Sequence, residues 1–448
     1  MSHFRPAGLG VVFLSVAVPL VWFVPLAADR DPLAVMSQYF GSAALILMGL
    51  SQLMATRWRG VEAVFGGLDR VYVLHKWIGI AALALVLLHD TIDAEMRGLT
   101  PVPVLEEVAE TAGELSLYGF LILVVLSIAT FVPYHLWRWT HRFIGGFFAL
   151  SAFHFVFIAK PFSMGDPLGL YVGAFCFAGL VAYAYTILPL RRSAAERPYK
   201  VAGVQHSGGA VIVDLAPQKR GVRHRAGQFA FLRLQVDGLT EPHPFTISSA
   251  PDDAGLLRFS IKASGDWTGR LARQVAVGQE AAVEGPYGKF TRDNGSDPQI
   301  WIAAGIGVTP FLAWAGALPE KSPQVHWFYC VRSDAEAPHL AEIMAVAEAH
   351  PAITLHLAVS SKSGRLSSAA IEQAAGADLR RTQVYFCGPS SMRESLQHDL
   401  KGLGLPHSRF HFEEFEMRSG VGLRRLADWL TERFKNQRSN AGSGKAAG

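Results

Sequence analysis

The chain has 448 residues, 50% of them hydrophobic and 17% charged, with mean hydropathy +0.23. An ordinary soluble chain carries about 25% charged residues, so this composition excludes a purely soluble protein. The formal charge of +4 comes with no dense run of Lys and Arg, which argues against a nucleic-acid partner.

The apolar excess sits in the first 190 residues, and the remainder reads as soluble α/β protein. Roughly 250 residues are enough for one or two further domains of about 100 to 150 each. Cys176, Cys330 and Cys387 are the only cysteines and form no CxxC pattern, so no disulfide framework or zinc site is expected. The apolar run from Leu9 to about Ala28 exceeds a signal-peptide core and reads as a retained first span.

Six spans are expected, at about 9–28, 38–55, 71–90, 115–133, 143–160 and 168–189, each near the ~20 apolar residues that cross a hydrocarbon core. One set of loops holds Arg57, Arg59, Arg70, Lys76, Arg138, Arg142, Arg191, Arg192 and Arg197, with Arg5 at the start. The other holds Arg30, Arg97 and Lys160 beside acids such as Asp93, Glu106, Glu107 and Glu114. The positive-inside rule then places both termini in the cytoplasm of a multi-pass plasma (inner) membrane protein embedded in a lipid bilayer.

The third and fifth spans run in the same direction and each carries two histidines. His75 and His89 are 14 residues apart, and His141 and His154 are 13 apart, about 20 Å along a helix axis in both cases. Side by side, the helices bring His75 level with His141 near the inner face and His89 level with His154 near the outer face. Ionisable residues inside a bilayer are costly and point to function. Opposed imidazoles at two depths suit two b-type haems, each iron filled on both axial sides.

Gly79 and Gly145 each follow an inner histidine by four residues, leaving room on that face for a porphyrin plane. Lys76 and Arg142 either balance propionates or snorkel to the headgroups. A spacing of 13 leaves the second ligand about 140° off the face of the first, so the fifth helix is expected to be distorted, with Gly145–Gly146 the expected place. His135 has no matching partner and reads as a surface histidine.

After residue 192 the pattern turns to short strands, "AVIVDLAP", "GQFAFLRLQV" and "LLRFSIKA", as in a small antiparallel barrel. "QIWIAAGIGVTPFLAWAGAL" from residue 299 reads strand, glycine turn, helix, the arrangement of a phosphate cradle. Further strands "VHWFYCVR", "ITLHLAVS" and "VYFCGPSSM" alternate with helical stretches, which predicts a parallel sheet. "CGP" at 387–389 then lies at the carboxyl edge, where such sheets bind ligands.

With "HPFTISSAP", "SGDWTG", "EGPYG", "AAGIGVTPF" and "FCGPSSM" in that order behind six spans, the chain resembles the NADPH oxidase and ferric reductase superfamily from about residue 10 to 418. The resemblance implies a multi-domain membrane protein: a six-helix transmembrane di-haem bundle over 1–192, an antiparallel β-barrel FAD domain over 193–296, an α/β parallel-sheet NAD(P)H domain over 297–418, and a tail over 419–448. It implies FAD held by His243, Pro244, Phe245 and Thr246, with Gly265, Trp267 and Thr268 near the pyrophosphate and Thr268 heading a short helix. Gly305, Gly307, Thr309 and Pro310 would approach the dinucleotide, and Cys387, Gly388 and Pro389 would border the nicotinamide. Phe415, with Phe412 second, would cover the flavin ring, plain packing being the other reading of both. Arg332 would take the 2′-phosphate of NADPH, NADH being the alternative.

The implied reaction is electron transfer from NAD(P)H through FAD and two haem b groups to an extracytoplasmic acceptor, oxygen or a ferric chelate, with Phe147 or Phe148 between the haems. In eukaryotic oxidases of the family a second histidine follows the outer ligand by one turn. Here that place is Asp93 and no arginine in the second span replaces its partner, a departure from dedicated superoxide producers. The alternative is an electron-delivery subunit reducing a partner protein. In the tail, Leu423, Leu426, Leu430 and Phe434 with Arg424, Arg425, Arg433 and Lys435 form a basic amphipathic pattern that would lie on the inner leaflet or pack on its own domains.

Overall fold

The structure is a computed structural model. It describes residues 5–413 except 93, 95–98, 100–104, 129–131, 133, 189–194 and 377. The chain divides into two compact units, a helical one reaching Leu188 and a mixed one that follows it and takes in the short stretch Gly66–Arg70.

The helical unit begins with α1 (Pro6–Ala17) and α2 (Leu20–Leu26), one apolar stretch interrupted just before Leu20, with Pro19 as the N-cap of α2. Next comes α3 (Pro32–Ala55), started by the Asp31 carboxylate, which accepts from the Leu33 and Ala34 amides at 2.8 and 3.3 Å. Such a cap satisfies backbone donors that the first turn leaves open. The short α4 (Arg59–Phe65) precedes α5 (Leu68–Thr91) and α6 (Glu106–Ile128). α6 starts nine residues ahead of the expected 115, because Glu106 and Glu107 occupy its first turn; acids favour a helix N-terminus although they lower its hydropathy. α7 (Tyr134–His141), α8 (Ile144–Phe157) and α9 (Pro167–Ile187) complete the unit.

Among the described residues, five helical stretches are long and apolar enough to cross a membrane. The remaining expected span, 143–160, is the 14-residue α8 with α7 before it. The distortion expected of that span is present, but two turn residues, Arg142 and Phe143, make it, ahead of Gly145–Gly146. α3 packs along α9 and α6 along α8. A Cβ on Gly49 would lie 2.5 Å from the Phe175 carbonyl oxygen, and one on Gly179 would lie 2.8 Å from the Gly49 Cα, so α3 and α9 touch backbone to backbone. Phe13, Val21, Phe177 and Val181 point outward, as lipid-facing side chains do.

The mixed unit contains two sheets. The first runs β4-β3-β6-β1-β2-β5, from β1 (Glu196–Ser207), β2 (Ala210–Pro217), β3 (Phe229–Leu234), β4 (His243–Thr246), β5 (Leu257–Lys262) and β6 (Glu280–Tyr287), all antiparallel. A bridge between Ile247 and Phe259 joins its two edges and curls it into a barrel. Its core includes Tyr199, Val213, Leu232, Phe259, Leu271 and Val283, covered at one end by α10 (Asp266–Gln274).

The second sheet is parallel, in the order β11-β10-β7-β8-β9, from β7 (Gln299–Ala304), β8 (Val325–Val331), β9 (Ile353–Val359), β10 (Gln383–Cys387) and β11 (Phe410–Phe412). Trp301, Trp314 and Trp327 fill one face, and Ile300, Ile302 and Phe386 the other, the two-sided burial typical of parallel sheets. Chain order reverses between β7 and β10, the switch point at which such sheets form their ligand crevice.

The sheets are joined through His339. Its Nε2 lies 2.8 Å from Ser260 Oγ in the barrel and its Nδ1 2.7 Å from Glu342. Arg258 donates to both Glu342 and Asp214, at 3.0 and 2.9 Å.

The backbone contact at Gly49 yields a stability test. Gly49→Leu should destabilise the helical unit by about 1–3 kcal/mol through overpacking, whereas Gly10, whose Cβ direction meets nothing within 4 Å, should accept leucine. Thermal unfolding of the two variants in detergent should separate them; equal midpoints would refute the close approach.

Candidate functional site

The four span histidines lie in pairs, all partly buried. The His75 and His141 ring centroids are 6.0 Å apart, with planes at 61°. That gap is what one iron between two imidazoles requires, given metal–nitrogen bonds of about 2 Å on each side. His89 lies against α3 at Ser37, and His154 against α6 at Ala109.

Every ring has its Nδ1 engaged. His75 Nδ1 lies 3.1 Å from the Ser51 carbonyl and 2.9 Å from the Ser51 hydroxyl. His89 Nδ1 lies 2.9 Å from both the carbonyl and the hydroxyl of Ser37. His154 Nδ1 reaches the Ala109 carbonyl at 2.8 Å, and His141 Nδ1 the Ser127 hydroxyl at 2.9 Å. A carbonyl only accepts, so the three rings bonded to one carry their proton on Nδ1 and present Nε2 as a bare lone pair.

Among the described residues no group of three or more His, Cys, Asp or Glu side chains converges as a metal centre. Paired imidazoles nevertheless fit an iron whose other four bonds come from a porphyrin. A Cβ on Gly79 would meet nothing within 4 Å, which suits a flat group on that face. Gly145 differs from the expectation: its Cβ direction meets the Tyr183 ring, so it serves packing against α9. Phe147 packs on Gly119 of α6, and Phe148 is buried against Gly179. Asp93 lies outside the described residues.

In the barrel, Trp267 stacks on His243 at 4.4 Å and Phe245 at 5.6 Å, both at 29°. The Thr246 hydroxyl and the Trp267 indole N–H are buried with no hydrogen-bond partner among the described residues. Orphaned buried polar atoms are rare and mark a place for a ligand group. Pro244 sits within β4, and the Cβ direction of Gly265 is open.

Thr268 does not head α10. Gly265 is the N-cap, and the Thr268 hydroxyl accepts from the Ser264 and Gly265 amides at 3.0 Å each. Its role here is to close the first turn, because a hydroxyl three residues into a helix reaches back to the cap.

At the parallel-sheet edge, Gly305 has φ +54° and opens a short 3-10 turn (Gly305–Val308) before α11 (Thr309–Gly316), with Pro310 in its first turn. A Cβ on Gly307 would strike the Cys387 carbonyl, and one on Gly388 would come within 2.7 Å of Ala304. The two glycines therefore let the ends of β7 and β10 close together, and Pro389 caps the helix that follows β10. Arg332 is exposed immediately after β8. Phe415 and the tail lie outside the described residues; Phe412 belongs to β11, with the Arg393 guanidinium 4.3 Å over its ring.

Glu413 was not singled out in the sequence, where it is one acid among several in "HFEEFEMR". It is 6% exposed, and neither carboxyl oxygen has a hydrogen-bond partner among the described residues. Burial raises its pKa well above the ordinary value. Burial and then the neighbouring Glu413 likewise push up the fully buried Cys387 thiol. Burial thus favours the protonated forms of the carboxyl after β11 and the thiol ending β10, and a protonated carboxyl can donate a hydrogen bond.

Three family models match the chain: the ferric reductase like transmembrane component over residues 40–152, an FAD-binding domain over 199–291 and an oxidoreductase NAD-binding domain over 301–398. Dual oxidase 2 of Homo sapiens is 24% identical over 366 residues, 71% of this chain and 22% of that protein. NADPH oxidase 3 of Homo sapiens is 27% identical over 261 residues, 49% of this chain and 44% of that protein. These three matches in this order, with the two oxidase relatives, support a place for the chain in the NADPH oxidase and ferric reductase superfamily. The chain is also 27% identical over 221 residues to the reductase component of propane 2-monooxygenase from Rhodococcus jostii strain RHA1, 46% of this chain and 59% of that protein. The chain spans at most about three fifths of the first curated relatives it matches. The chain carries NAD(P)H-dependent oxidoreductase domains behind a helical region with several candidate membrane spans.

The buried carboxyl yields a pH test. The fold retains the Glu413 proton that the unfolded chain releases above the ordinary value of 4.5. Its contribution to stability is thus complete below that value and is lost as pH rises toward the raised folded value. Glu413→Gln should flatten that part of the stability–pH curve, read from denaturant midpoints by flavin fluorescence; an unchanged slope would place the carboxyl in water.

Proposed function

We propose that the protein moves electrons from cytoplasmic NAD(P)H, with FAD and two b-type haems as resident cofactors, to an acceptor on the opposite side of the membrane. The observation that carries this reading is the pair His75 and His141, with ring centroids 6.0 Å apart; His89 and His154, each held through Nδ1 by a backbone carbonyl, are the second candidate pair. When bound, the flavin supplies the exchange between hydride pairs and single electrons, and axially filled haems supply outer-sphere transfer.

The chain's own residues bind and orient. The glycine turn at 305–307 offers backbone amides and a helix N-terminus to the dinucleotide phosphates, with Thr309 and Pro310 opening that helix. Arg332 offers a guanidinium to a 2′-phosphate. His243, Pro244, Phe245 and Thr246 hold the flavin, Gly265 and Trp267 border its pyrophosphate, and Cys387, Gly388 and Pro389 border the nicotinamide. Phe415 covers the flavin ring. Glu413 keeps a proton at the crevice. These roles divide the chain at 1–192, 193–296, 297–418 and 419–448, with both termini cytoplasmic in the plasma membrane.

Oxygen or a ferric chelate is the acceptor. Delivery to a partner protein is the second reading, supported by likeness to a monooxygenase reductase component. Purified protein should reduce ferric citrate or oxygen under the first reading and turn over slowly until its partner is added under the second.

Purified protein should contain two haems per chain whose absorption bands shift on anaerobic addition of NADPH. The double variant His89→Leu/His154→Leu should retain one haem. Two haems in that variant, or none reduced in the parent, would overturn the relay. For the nucleotide, Arg332→Ser should raise KM for NADPH about 10–100-fold, the scale of a lost hydrogen bond to a charged group, with KM for NADH little changed. An equal effect on both would remove Arg332 from the 2′-phosphate.

A further inference from the structure

We propose that Ser127 is a positioning residue for the inner histidine pair, its hydroxyl holding His141 in the tautomer and orientation that presents Nε2 to a metal. The inference rests on the haem reading given above, and it concerns how one of the four ligands is fixed.

The assignment of the proton follows from two distances. Ser127 Oγ lies 2.6 Å from the Leu123 carbonyl, which only accepts, so the single hydroxyl proton is donated there. The same oxygen is 2.9 Å from His141 Nδ1. With its proton committed to Leu123, it accepts from Nδ1–H. His141 therefore carries its proton on Nδ1 and leaves Nε2 bare.

The other three ligands do not depend on a side chain. His75, His89 and His154 each place Nδ1 within 3.1 Å of a helix carbonyl, from Ser51, Ser37 and Ala109 respectively. The hydroxyls of Ser51 and Ser37 only supplement a backbone acceptor that no substitution removes. Among the described residues, Ser127 Oγ is the hydrogen-bond partner of His141 Nδ1. His141 is also the last residue of the short α7, followed by the turn at Arg142 and Phe143. Its ring is steadied by Trp137, stacked at 5.1 Å and 25°, but stacking does not choose which nitrogen holds the proton.

Removing the hydroxyl leaves Nδ1–H without an acceptor in an apolar setting. The ring then loses its tautomer preference, and the basicity that the hydrogen bond lends to Nε2 falls. Loss of such an outer partner typically costs about 10–100-fold in metal affinity. A less basic ligand stabilises ferric iron less, so the midpoint potential of the inner haem should rise.

The test uses the full-length, haem-loaded protein and two readouts apart from activity: the rate of haem loss to apomyoglobin and the midpoint potentials from spectroelectrochemistry. Ser127→Ala should speed loss of one of the two haems about tenfold or more and move one midpoint upward. Ser51→Ala and Ser37→Ala, each leaving a backbone acceptor, should release haem at least about fivefold more slowly than Ser127→Ala. Ser127→Thr and Ser127→Val change the shape alike and differ by a hydroxyl. Threonine should restore retention and potential and valine should not, a contrast that a purely steric role would not produce. Two firmly held haems with Thr and Val variants alike, or with all three alanine variants alike, would overturn the assignment while leaving the relay intact. Fewer than two haems in the parent protein would overturn the relay and the assignment together.

Discussion

An imidazole N–H inside an apolar helical unit must find an oxygen, and that requirement organises the first half of this protein. Leaving such a donor unpaired costs roughly 1–3 kcal/mol. Each of the four rings meets the requirement by reaching to a neighbouring helix: His75 and His89 tie α5 to α3, and His141 and His154 tie α7 and α8 to α6. The bonds that fix the tautomers also lock α3 to α5 and α6 to α7–α8. With Nδ1 committed to those partners, Nε2 of each ring is the nitrogen left to bind a metal.

The mixed unit meets a different constraint, that of bringing two ligand-binding layers to one crevice. The parallel sheet supplies its switch point between β7 and β10, where Gly307 and Gly388 let the strand ends approach too closely for side chains. The barrel supplies a buried Thr246 hydroxyl with no hydrogen-bond partner among the described residues. The Ser260–His339–Glu342–Arg258–Asp214 chain links the two layers. A charged relay of this kind stays aligned only while every member keeps its partner. Glu413, by contrast, is buried with no hydrogen-bond partner among the described residues, a setting that favours its protonated form.

Much of this was legible in the sequence for a physical reason: hydropathy and strand alternation report burial, and burial is what the elements share. The barrel, the parallel sheet and most of the helices therefore stand near where pattern places them, the exception being the broken span at α7–α8. What pattern could not place were features set by neighbours distant in sequence. The helix break beside His141 agrees with the 13-residue spacing, but it lies at Arg142–Phe143, where the Tyr183 hydroxyl of α9 donates to the Arg142 carbonyl at 3.0 Å. Thr268 has the right motif, yet its hydroxyl closes a helix cap, a local bond that competes with any phosphate. Glu413 carries no local signal, since only the fold removes it from water.

The outer histidines have a signature of their own in the sequence. The carbonyls that accept from the outer histidines belong to Ser37 and Ala109, and the residues four positions later are Gly41 and Gly113. In a helix the Cβ of residue i+4 leans back toward the carbonyl of residue i, the place where an approaching ring must enter. A Cβ on Gly41 would stand 3.3 Å from the His89 ring, and one on Gly113 would stand 2.6 Å from His154 Nδ1. The carbonyl keeps its helical bond and uses its second lone pair for the imidazole, so helix continuity and ligand orientation are compatible only with a small residue at i+4. For His75 the corresponding residue is Ala55, four beyond Ser51. His141 stands apart because it meets α6 near the end of that helix, at Ser127, where a hydroxyl does what a carbonyl does for the other three.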